Sequence, residues 1–354
     1  MTAADRGHEN KCPLQRDLDR NTIFLERDGF WWSAELNCWM ISAPDAIAAV
    51  LRDHAFSVHS YNFSEVAGRL GISLPRHQAL PAYLPLALEG EKHTALRRRF
   101  SEQISATTAR ALEIFEHTLV AGIGQHFNAT PPTRFCAVKE IIQPSSRLAN
   151  LAIAGLEGFS FDDLESVPIF FDKGISLRKR QQIEQLIEQL HVSLPEGFGD
   201  DEKYFKIAFL MLSMDTLVGS ISKSFLTVVR RNPGVAMSAM DWDRDLPATA
   251  LPMIERKALA DTPLFGHEIK RGDRVRLFVD VNEFNRDRGS KYNELYFAAG
   301  AHRCPGMNYS RKIWTIFVRH MRQIERKLHI RDFSYRSNDS IFTLLDTLEV
   351  ETYV

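Results

Sequence analysis

A chain of 354 residues with 44% apolar side chains can bury a large core, as one big domain or two smaller ones. Its formal net charge of −1 argues against a polyelectrolyte partner, so nucleic-acid binding is not expected. Its four cysteines, Cys12, Cys38, Cys136 and Cys304, show no CxxC spacing and no short Cys/His pairing. That pattern speaks against a disulfide framework or a zinc site and fits a reducing compartment. Residues 1–20 are polar and charged, without the apolar run of a signal peptide or anchor. The most apolar internal run, Ile207 to Ile221, is too short to span a bilayer and carries Asp215 in its middle. A soluble cytoplasmic protein, free of membrane, is the expectation.

In chain order, residues 1–20 read as a flexible lead-in and 21–354 as one domain. From Ile23 to Ile41, the aromatic residues Phe24, Phe30, Trp31, Trp32 and Trp39 flank Asp28-Gly29 and Leu36-Asn37, the look of short strands joined by turns. Pro44 opens a helix through Leu51, with Asp45 in its first turn. Helical patterning then covers 92–103, 106–128, 137–156, 178–191, 203–231 and 307–327. Between the last two, Leu264 to Val281 reads as a hairpin turning at Lys270-Arg-Gly272-Asp273, with Val275, Leu277 and Val279 alternating. The tail from Phe333 to Val354 alternates again. The fold class is therefore mainly α with a small β portion (α+β), its strands drawn from both ends of the chain.

The most informative stretch is Phe297-Ala-Ala-Gly300-Ala-His302-Arg-Cys304-Pro-Gly306, just before a strongly helical segment. A lone cysteine is more often a small buried hydrophobe. One placed before a helix is also a setting for a stabilised thiolate, since helix amides and dipole favour the anion. The whole spacing F-x-x-G-x-H-x-C-x-G resembles the heme-binding loop of the cytochrome P450 family. Glu91-Lys-His93-Thr-Ala-Leu-Arg97 resembles that family's H-x-x-x-R helix pattern, and Arg256-Lys-Ala258, Asp261, Gly266 and Gly272-Asp273 resemble its R-x-A…D…G…G-D segment. Asn285-Arg286-Asp287 is similar to its N-R-D turn, and Gly29-Phe-Trp-Trp and Ala46 to Ser57 to its first strands and second helix. The likeness runs from about Phe24 to Val354.

The resemblance implies heme b as cofactor, with Cys304 as iron ligand and Phe297, Gly300 and Gly306 shaping its loop. It implies that His93, Arg97, Arg256 and His302 bind the heme propionates, a buried dianion that needs cationic or donor partners. Asp215-Thr216, inside an apolar helix, matches the family's acid–alcohol pair, which manages oxygen and protons there. Taken alone, such a pair more often bonds its own helix backbone. Leu212-Ser213 stands where the family has Ala-Gly, so a narrower oxygen groove, or a helix bent by the Ser213 hydroxyl, is expected.

Three further departures stand out. The family's E-x-x-R helix pair is not plainly present, Asp241 and Arg244 being the nearest spacing, and the stretch after Asn285 is short. The span from Gly158 to Asp215, which roofs the pocket in the family, is several dozen residues short. Either the substrate is large or carrier-borne, or residues 159–198, with Phe159, Phe161, Phe170, Phe171 and Phe198, form a reduced lid. The implied activity is insertion of one oxygen atom from dioxygen into a small or carrier-protein-bound molecule. Electrons would come from a ferredoxin or flavodoxin docking near Arg98, Arg99, Arg311 and Lys312. Peroxide-driven or rearrangement chemistry, and a non-catalytic heme sensor, are the alternatives.

Overall fold

The computed structural model describes residues 29–34, 36–58, 71–127, 134–159, 176–280, 295–336 and 342–353. The lead-in 1–20, Phe24, Asp28, Phe161, Phe170, Phe171, Asn285-Arg286-Asp287 and Val354 lie outside the described residues.

The aromatic run forms β1 (Phe30–Ser33), which pairs antiparallel with β2 (Cys38–Ile41). Gly29 is required where it stands: its φ is +73°, and a Cβ there would lie 2.8 Å from the Ala43 backbone nitrogen. Its carbonyl takes the Ser42 and Ala43 N–H groups and so turns the chain into α1 (Pro44–Arg52). Asp45 in the first turn and Arg52 in the last suit the helix dipole, and Ala46, Ile47, Val50 and Leu51 form the buried face. After β3 (Phe56–Val58) come a short α2 (Pro75–Ala79) and then α3 (Gly90–Phe127).

Helix α3 merges the two expected segments into one of 38 residues, about 57 Å long at 1.5 Å per residue. The polar residues at the expected break are absorbed by the helix: Thr107 Oγ1 donates to the Gln103 and Ile153 carbonyls at 2.8 and 2.9 Å. Beyond β4 (Arg134–Cys136), a wide π-type turn, Val138–Ile142, precedes α4 (Gln143–Ile153). Pro144, which has no N–H to give, sits where the one passes into the other. Ser176 caps α5 (Leu177–Ser193), its hydroxyl accepting from Lys179 N–H at 3.3 Å.

Helix α6 (Asp200–Arg231) crosses the core, with three acids in its first turn and two arginines in its last. It is long and apolar enough to cross a membrane, yet its most apolar window is 78% buried inside the protein. It is the core helix. The connection from α6 to the next strand, residues 232–252, holds a 3-10 turn at Met237–Ala239 and a single antiparallel bridge from Ala236 to Lys327, but no α-helix.

The expected hairpin at 264–281 is corrected. Strands β6 (Thr262–Leu264) and β7 (His267–Ile269) make the hairpin, turning at Phe265-Gly266, both with positive φ. The Lys270–Asp273 turn instead feeds β8 (Arg274–Phe278), which lies between β5 (Met253–Ala258) and β2 in a five-stranded sheet, order β1-β2-β8-β5-β3. Val275 and Leu277 are wholly buried there, which a two-stranded hairpin could not achieve. The strands from the two ends of the chain also sit in separate sheets, because β10 (Leu345–Tyr353) pairs with β9 (Lys327–Tyr335) on one side and with β4 on the other.

The last helix, α7 (Met307–Met321), is shorter than its sequence pattern. Met237 and Ser238 N–H groups bond to the Arg326 and Ile324 carbonyls, and this pulls the chain out of the helix into β9. The main core joins α3, α4, α6, α7 and the three-stranded sheet, and a smaller one lies between α1 and the five-stranded sheet.

Candidate functional site

Between these two cores lies a cavity of about 360 Å³, within the usual size of ligand sites. One face of α6 forms a wall: Phe209, Leu212, Ser213, Thr216, Leu217 and Ser220 follow one another at helical spacing. Helix α3 contributes His93, Arg97, Phe100 and Ile104, and the loop before α7 contributes Phe297, His302, Cys304 and Gly306.

The cysteine loop is built by backbone constraints. Gly300 has φ +66°, and a Cβ on it would lie 2.4 Å from the Leu51 carbonyl oxygen at the end of α1. Ala298 also takes a positive φ, +58°. The Phe297 carbonyl accepts the Cys304 N–H at 2.7 Å, fixing the cysteine at the entrance to α7. By contrast, Gly306 has φ −82°, and the nearest atom to a Cβ there is Cys304 Sγ at 3.7 Å.

Cys304 is accessible although protein surrounds it, because its surface opens into the cavity rather than to bulk water. Burial pushes its thiol pKa up, against N–H groups of Gly306 and Met307 and the charge of Arg97, which favour the thiolate.

At the cysteine end stand His93, Arg97, Arg256 and His302. His93 and Arg256 are buried. The His93 Nε2 has no hydrogen-bond partner among the described residues, and Arg97 makes no ion pair with any of them. Burial lowers the pKa of both Arg97 and His93. The His302 ring lies 4.1 Å from that of His93, and its Nε2 lies 3.1 Å from Glu89 Oε2. Glu89 in turn accepts the Val58 N–H at 2.8 Å. Glu89 was not singled out in the sequence, where its only signal is its place just before α3.

These groups fit heme. The cavity offers one soft sulfur, the half-buried Arg97 guanidinium and a buried His93 nitrogen, both without a partner among the described residues, and the buried Arg256, set in largely apolar walls. No cluster of three or more metal-binding side chains occurs among the described residues.

The acid–alcohol pair is divided. Thr216 borders the cavity, but its hydroxyl donates to the Leu212 carbonyl at 2.7 Å. Asp215 is buried, does not border the cavity, and lies 3.6 Å from Arg336. The Ser213 hydroxyl does not bond the helix backbone, and α6 runs unbroken past it.

Asp241 and Arg244 are exposed, off any helix, and not paired with each other. The neighbouring acids do the tethering: Asp243 to Arg231 at 3.0 Å and Asp245 to Arg311 at 3.2 Å. Arg99 is likewise engaged internally, by Asp201 and Glu202, which leaves Arg98 and Lys312 as the exposed cations of the expected docking set. Helix α5 lies over α2, where Glu184 accepts the Arg76 and His77 N–H groups at 2.9 and 2.7 Å and Glu188 pairs with Arg76. No α5 residue borders the cavity, and Phe159 and Phe198 pack against the main core.

No protein-family model matches the sequence, and no curated protein matches it. Solved structures do. The chain superposes on CalO2 with a TM-score of 0.76 at 15% identity, covering 96% of this chain and 98% of that one. P450BioI, solved in complex with hexadec-9Z-enoic acid ligated acyl carrier protein, gives 0.74 at 17% identity, with 96% and 99% covered. The cytochrome P450 CYP109B1 from Bacillus subtilis gives 0.70 at 15%, with 97% and 100% covered. The fold is that of the cytochromes P450. In this P450 fold α6 is the central helix over the cavity, and Cys304 sits on the loop that leads into α7.

Proposed function

We propose that the chain is a heme-thiolate monooxygenase. The observation that carries this reading is Cys304 facing a cavity that also holds the buried Arg256 and Arg97, which has no ion pair among the described residues. Heme b, when bound, would supply activation of dioxygen and transfer of one oxygen atom to a C–H bond or double bond. Cys304 would ligate its iron, with Phe297, Gly300 and Gly306 shaping the loop, and His93, Arg97, Arg256 and His302 would hold the propionates. Thr216 presents a hydroxyl at the cavity face, and Asp215, held by Arg336, is the nearest buried carboxylate on α6 for proton delivery. The apolar walls exclude water from the reacting atoms.

Electrons would come from a ferredoxin or flavodoxin meeting Arg98 and Lys312, and the setting would be the cytoplasm. The substrate would be a small organic molecule, free or on a carrier protein, as P450BioI is seen to engage one.

One observation favours a second reading, peroxide-driven or rearrangement chemistry. Leu212 fills the cavity face one turn before Thr216, whose hydroxyl is spent on its own helix. Replacing Thr216 by alanine separates the two. Under the first, product formed per electron consumed from a reductase system falls about tenfold or more. Unchanged coupling would favour the second.

A further inference from the structure

The cavity wall carries a polar pair that heme binding does not use. Four buried side-chain polar atoms there have no hydrogen-bond partner among the described residues: His93 Nε2, Asn150 Oδ1, Ser213 Oγ and Tyr309 OH. His93 belongs with Arg97 at the anion-binding end. Asn150 and Ser213 stand together, on α4 and α6.

Asn150 is wholly buried, and its Nδ2 donates to the Ser213 carbonyl at 3.2 Å. That bond fixes the amide, because the flipped form would set oxygen against oxygen. Oδ1 is thereby left as an acceptor. Several helical serines here spend their hydroxyls on a backbone carbonyl, as Ser145 does on Ile141 and Ser222 on Gly219. Ser213 does not. Apolar side chains border the same cavity: Phe100 and Phe209, stacked at 5.1 Å, together with Ile104 and Ile153.

A buried acceptor and a buried hydroxyl without partners carry their full desolvation penalty, so such atoms call for a partner that enters the cavity. The hydrocarbon edge of a porphyrin cannot supply one. Oδ1 requires a donor, and the Ser213 hydroxyl can give or take, so the complement is a neutral group holding both functions. A carboxylate would face Oδ1 acceptor to acceptor, and Glu255, the acidic residue among those described that borders the cavity, is already paired with Arg274 and Arg276 and so is not offered to a cation.

We propose that Asn150 and Ser213 form a subsite for an alcohol or carboxamide group of the substrate. The subsite is three residues from Thr216 along α6, about 4.5 Å of helix rise. The word substrate rests on the monooxygenase reading; the subsite itself rests on these contacts.

Calorimetric binding of 1-octanol, octanamide and 1-chlorooctane to the purified protein tests it, with an absorption spectrum of the same sample to report heme. The wild type should bind octanol and octanamide about tenfold more tightly than chlorooctane, the worth of one or two buried hydrogen bonds. Asn150→Leu should erase that preference while keeping chlorooctane affinity within about threefold. Should Asn150→Leu fail to fold, Ser213→Ala alone should reduce the preference about threefold or more. Equal binding of all three probes by the wild type, or a preference untouched by both substitutions, would overturn the subsite. Heme with no preference defeats the subsite alone, and preference without heme defeats the monooxygenase reading alone.

Discussion

Lys223→Met should destabilise the protein by about 3–5 kcal/mol, read from the midpoint of denaturant unfolding. Lys223 on α6 and Asp280 just after β8 are almost wholly buried, with Nζ and Oδ2 2.7 Å apart. Removing the ammonium leaves a carboxylate in a site that cannot hydrate it, and that penalty dominates the loss. The pair ties the central helix to the five-stranded sheet in a chain whose α6-to-β5 connection has no α-helix. Lys223→Met combined with Asp280→Leu should recover most of the loss, since a well-packed apolar pair often matches a buried ion pair. A double variant as unstable as the single one would show that packing around Lys223, rather than charge, is what matters.

Gly300→Ala should cost about 3 kcal/mol or more, concentrated in the cysteine loop. The new Cβ would sit 2.4 Å from the Leu51 carbonyl, a backbone atom fixed by α1, at a φ of +66° that alanine resists. The loop has to move, and Cys304 moves with it. Heme retained per protein should fall to about a tenth or less, while far-ultraviolet circular dichroism stays near that of the wild type. Normal heme retention by this variant would mean that the contact with α1 does not set the position of Cys304.

How much of this was legible in the sequence depends on the range of each contact. The cysteine loop is local: Gly300, His302, Cys304 and Gly306 lie within a few residues, and so their spacing could be read directly. His93 and Arg97 share a helix face for the same reason. The helices were legible as amphipathic runs, but their ends were not. The merging of α3 and the shortening of α7 depend on distant partners, Ile153 for Thr107 and Met237 for Arg326. Strand β8 carried the right alternation, yet its neighbours β2 and β5 are chosen by burial of Val275 and Leu277 in a sheet. Glu89 against His302, Asn150 against Ser213 and Lys223 against Asp280 join residues 213, 63 and 57 positions apart, and no local pattern marks them. The acid–alcohol motif was visible as adjacent letters. That Thr216 faces the cavity while Asp215 faces Arg336 follows from the rotation of about 100° between successive helix residues.

The measurement that bears most directly on the central claim is the carbon monoxide difference spectrum of the purified, reduced protein. A strongly red-shifted Soret band is the predicted result, because it reports heme with the Cys304 thiolate on its iron. A heme spectrum with an unshifted band would contradict thiolate ligation. Absence of heme after expression with ample precursor would contradict the account as a whole.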